Sequence, residues 1–140
     1  VALACGGELG EELAVCLGQL SFWAPHLPVY LLTDDATLAA MEPQDRARCA
    51  VVETLPPAEL EELGQMDATD APDTMAGRWS RPWIGAKLEA LRRALARWPG
   101  KGVLLCDSDI VVADRITETV WRDCDAVLSA HRGMSCSACC

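Results

Sequence analysis

Gly102-Val103-Leu104-Leu105-Cys106-Asp107-Ser108-Asp109-Ile110-Val111-Val112 is the stretch whose reading decides the fold. Residues 102–107 form a short apolar run that begins at glycine, which predicts a buried strand, and 110–112 continue its apolar character. Upstream, Pro82 suits the first turn of a helix, and Ile84, Leu88, Leu91, Leu95 and Trp98 recur at helical spacing as its apolar face. Pro99-Gly100 stops that helix. A helix feeding an apolar strand is half of a βαβ unit.

The rest of the chain repeats the unit. Residues 1–5 read as a strand closed by Gly6-Gly7, and 11–23 as a helix carrying Leu13, Leu17, Leu20 and Trp23, closed by Pro25. Residues 28–33 are a second strand ended by Asp34-Asp35, and 37–48 a short helix that Pro43 is placed to split. A third strand, 50–55, stops at Pro56-Pro57, and 58–63 supply one or two helical turns. Residues 64–81 are polar and aperiodic, a long loop of the kind that carries function. Beyond the opening stretch, 117–122 read as a helical turn and 125–130 as a last strand. The fold class is α/β, a Rossmann-like, mostly parallel sheet flanked by helices. Ligands of such sheets sit outside the carboxyl ends of the strands, here Cys5-Gly6-Gly7, Thr33-Asp34-Asp35 and Asp107-Ser108-Asp109.

A length of 140 residues suits one domain, and 51% apolar with 24% charged residues is a globular composition. Twelve Lys and Arg against twenty-one Asp and Glu leave a formal charge of -9, which argues against nucleic acid or an anionic membrane as partner. No apolar run reaches the ~20 residues of a membrane span. Cys5, Cys16, Cys49, Cys106 and Cys124 lie singly in apolar segments, the pattern of buried free thiols in a reducing, cytoplasmic setting. A start at Val1 rather than Met reads as a piece of a longer chain.

In extended backbone Asp107 and Asp109 would point to one face, about 6.6 Å apart. Two unpaired carboxylates there repel and resist desolvation, and a divalent cation relieves both costs. Their oxygen ligands suit Mn²⁺ or Mg²⁺. The alternative is a strand that ends at Cys106, with the acids in a solvated turn. Neither Gly-x-Gly-x-x-Gly nor a phosphate-loop Gly-Lys-Ser/Thr is present, and Glu8, Glu11 and Glu12 disfavour a phosphate at the first helix. A bound diphosphate would therefore sit on a metal at Asp107 and Asp109.

Cys5-Gly6-Gly7, then Tyr30-Leu31-Leu32-Thr33-Asp34-Asp35, then Leu105-Cys106-Asp107-Ser108-Asp109-Ile110-Val111-Val112, in this order, resemble a GT-A type nucleotide-diphospho-sugar glycosyltransferase. Arg81-Pro82-Trp83-Ile84-Gly85-Ala86-Lys87 and Asp125-Ala126-Val127-Leu128-Ser129-Ala130-His131-Arg132 are similar to the same family. The resemblance implies a GT-A-like fold over residues 1–132, an incomplete donor-binding domain; the Cys-rich residues 133–140 read, by composition and place, as a disordered tail. It implies metal-dependent sugar transfer from a nucleotide-diphospho-sugar, a UDP-sugar as the leading donor, to an acceptor that is not identified. Asp109, with Asp107, would hold the Mn²⁺ or Mg²⁺. Ala4, Cys5 and Gly6 would line the base pocket, and Asp34 or Asp35 would reach base or ribose. Lys87, Arg78, Asp107 and Ser108 would complete the donor set. The family continues well beyond this point with an acceptor half, so no catalytic acid or base is assigned, His131 included.

Two other readings compete. Asp107-Ser108-Asp109 also resembles the first motif of haloacid-dehalogenase-like phosphatases, with Asp107 as nucleophile, Asp109 as general acid/base and Ser129 as a second motif, although no downstream Lys and Asp-Asp pair follows. The other is an inert, truncated binding domain. Cys136, Cys139 and Cys140 with His131 invite a zinc reading, for which a tail is the better account. Trp79 and Trp83 flank the long loop, where packing and ring stacking on a ligand are both open.

Overall fold

The computed structural model describes residues 1–6, 10–65 and 81–116. In order these form β1 (Ala2–Cys5), α1 (Gly10–Trp23), β2 (Tyr30–Thr33), α2 (Asp35–Ala40), α3 (Pro43–Ala47), β3 (Val51–Thr54), α4 (Pro57–Gln65), α5 (Arg81–Arg97) and β4 (Leu105–Cys106). The four strands make one parallel sheet in the order β3-β2-β1-β4. The chain thus adds strands on one side of β1 and then crosses to the other. The switch point lies between β1 and β4.

Strand alternation sorts the core into two layers. Leu3, Cys5 and Leu31 meet Leu13, Cys16, Leu17 and Leu20 of α1 on one face of the sheet. Ala2, Ala4, Tyr30 and Leu32 meet Ala86, Ala90 and Ala94 of α5 on the other, where α4 packs beside α5. This is an α/β, Rossmann-like architecture with helices on both faces of a parallel sheet. Among the described residues no helix is long and apolar enough to cross a membrane.

The face of α5 differs from its sequence reading. Leu88 is 62% exposed and Leu95 45% exposed, whereas Ala86, Ala90 and Ala94 are completely buried. Side-chain size selects the leucine stripe, but the sheet already presents Tyr30 and Leu32, so methyl groups let the helix approach. Pro43 does split the second helix: Glu42 is extended and Pro43 opens α3. The fourth strand is shorter than read, only Leu105–Cys106, and 110–112 are not strand. The predicted elements at 117–122 and 125–130, and the tail at 133–140, lie outside the described residues.

Gly85 marks where α4 crosses α5. A Cβ added there would stand 2.8 Å from the Leu63 carbonyl oxygen, a backbone atom that cannot rotate away. Glycine inside a helix costs about 1 kcal/mol relative to alanine, so propensity alone favours Gly85→Ala. The crossing reverses that sign. We expect the substitution to lower stability by about 1 kcal/mol net, overpacking outweighing propensity. Urea denaturation of both proteins measures it, and a raised midpoint would show that α4 yields.

Candidate functional site at the strand switch point

The register builds a notch at the carboxyl edge of the sheet. The last pair between β1 and β4 is Leu3 with Cys106, so Ala4, Cys5 and Gly6 run on past the end of β4. On the other side β1 stays paired with β2 up to Cys5 and Thr33, whose hydroxyl donates to the Cys5 carbonyl oxygen at 2.6 Å. The backbone of Ala4–Gly6 and the turn 107–109 therefore border the switch-point crevice, where open parallel sheets bind ligands.

Asp34 closes the β2 side. It is the N-cap of α2, and its Oδ1 accepts from the Thr37 amide at 2.6 Å. Its Oδ2 points at Gly6, 2.5 Å from where a Cβ would stand. Asp35 is an exposed residue of the first turn of α2, whose N-terminus its charge favours. Of the acidic pair, Asp34 is the one turned toward β1.

The side chains of α5 fill the rest. The benzo edge of Trp83 packs on Gly6, in the space that a Cβ there would need. One turn later Lys87 forms an ion pair with Asp107 across the end of β4. Lys87 and Asp107 retain 33% and 49% side-chain exposure, so water and solutes reach the pair. Helical spacing of four residues puts Trp83 and Lys87 on one face of α5.

Asp107, Ser108 and Asp109 form a turn rather than a continued strand. Both acids are exposed and Ser108 between them is buried. Carboxylate desolvation, the sequence-based reason for a metal, is therefore small here, and a lysine already balances one of the charges. Ser108 is buried, hydrogen-bonded to the Cys5 thiol. Burial pushes up the thiols of Cys5, of Cys16 (to about 12) and of Cys106 (to about 11), which favours their protonated form at neutral pH. The Asp107 carbonyl oxygen accepts a long contact from Cys16 Sγ, 3.9 Å, which ties the turn to α1.

Comparison with protein-family models, with curated proteins and with solved structures returned no match. The site is therefore read from its own chemistry. Among the described residues no group of three or more His, Cys, Asp and Glu side chains is placed to hold a metal. Asp107 and Asp109 nevertheless offer two hard oxygen donors. That set suits Mg²⁺ or Mn²⁺, ions that keep several waters and take one or two carboxylates together with substrate phosphates.

At the carboxyl edge of the sheet the structure brings Gly6 together with Asp34 and Trp83, and Lys87 together with Asp107, beside the backbone of Ala4 and Cys5. Asp109 is exposed in the turn that follows β4. Arg78, Trp79, His131 and the Cys136, Cys139 and Cys140 cluster lie outside the described residues. Sequence reading left Trp83 between packing and stacking. Its spacing from Lys87, together with glycine at position 6, was the available signal for its place.

Proposed function

We propose that this chain is the donor-binding part of a GT-A type glycosyltransferase, taking a nucleotide-diphospho-sugar at the β1/β4 switch point. The observation that carries the reading is the meeting of Asp107 and Lys87 beside the β1 backbone that runs past β4. An acid and a base at that edge serve the two opposite charges of a metal–diphosphate. Asp34, at the end of β2, would stand beside a base or ribose, and Ala4–Gly6 offer backbone groups to the same end of the ligand. Asp107 and Asp109 would hold Mn²⁺ or Mg²⁺. Such an ion, when bound, supplies Lewis-acid stabilisation of the leaving nucleoside diphosphate. Lys87 adds a positive charge close by, in the position where an ammonium stabilises charge that grows on a departing phosphate.

Titration with UDP in the presence of Mn²⁺, followed by calorimetry, tests the reading. We expect binding to the parent chain and a loss of about tenfold or more in Asp109→Ala, since a charge-bearing ligand contact is worth about 1.5–3 kcal/mol. Binding unchanged by Asp109→Ala would remove the metal–diphosphate bridge from the reading. A phosphoryl group trapped on Asp107 would favour the phosphatase instead.

A further inference from the structure

We draw no further inference here: the strongest candidate, the outward stripe of α5 that carries the exposed Leu88 and Leu95, is an apolar helix face with nothing in the structure to show what covers it, since Lys87 and Arg92 beside it already pair with Asp107 and Glu89 of this chain.

Discussion

Arg93→Ala should lower the thermal midpoint by roughly 4–8 °C at neutral pH, corresponding to about 2 kcal/mol in a domain of this size. Arg93 is the meeting point of three elements: its Nε donates to Glu89 of α5 at 2.7 Å, its Nη1 to Glu53 of β3 at 3.1 Å, and its Nη2 to Glu59 of α4. Its side chain is only 21% exposed, and the completely buried Tyr30 lies beneath the cluster, its hydroxyl pushed up by burial and by Glu53. Glu53 and Glu59 are open to solvent, which limits what each of their pairs contributes. The larger part of the cost is three carboxylates left facing one another without a common counter-ion.

The same cluster sets an acid limb. Arg92 first, and Arg93 with it, hold the Glu89 carboxyl down at about 2, below its ordinary 4.5. A depressed carboxyl stabilises the fold above its unfolded value, and that contribution is lost as pH falls from about 4.5 toward 2. Thermal unfolding followed by circular dichroism between pH 2.5 and 7 reads both effects. The parent should lose stability steeply over this window, and Arg93→Ala should start lower and fall less. A variant within about 2 °C of the parent at pH 7, a shift worth less than 1 kcal/mol, would show that the cluster is decorative.

Gly6→Ala should destabilise by about 1–3 kcal/mol, because the new methyl group overlaps the Trp83 indole and the Asp34 carboxylate at once. The positive test is a double-mutant cycle. Trp83→Ala by itself removes a half-buried ring and costs stability, but it also vacates the space beside Gly6. The double variant should therefore cost less than the sum of its parts by about 1–2 kcal/mol, the scale of coupling between touching residues. Simple additivity in urea denaturation would mean that the two residues do not press on each other.

How much of this was legible in the sequence follows from what each residue type announces. Leu13, Leu17 and Leu20 declare a helical face by size and spacing, and α1 buries that face. Pro43 and Pro56-Pro57 declare ends, and the chain turns there. The α5 face was misread because alanine is silent in a pattern built on large side chains, and only the bulk of Tyr30 and Leu32 across the interface makes it the better choice. The Asp107–Asp109 turn was one of two open alternatives, since alternation cannot say where pairing stops. It stops at Cys106, although β1 runs on as strand to Cys5. Asp34 and Asp107 were picked out by type and by strand end, Lys87 only through the family resemblance. Their pairing was not, because an ion pair between residues twenty positions apart depends on how α5 lies across the sheet.

That alanine face has a consequence in entropy. A buried leucine gives up about 0.5–1 kcal/mol of rotamer freedom, and a buried alanine gives up none. The α1 layer gains its apolar area at that cost three times over in Leu13, Leu17 and Leu20, whereas Ala86, Ala90 and Ala94 add their contacts without ordering a side chain of their own. Less apolar area per residue is dehydrated on the alanine side, so its contribution to the heat capacity of unfolding is smaller. The two faces of one sheet should thus respond unequally to temperature, with the α5 side the less sensitive to cooling.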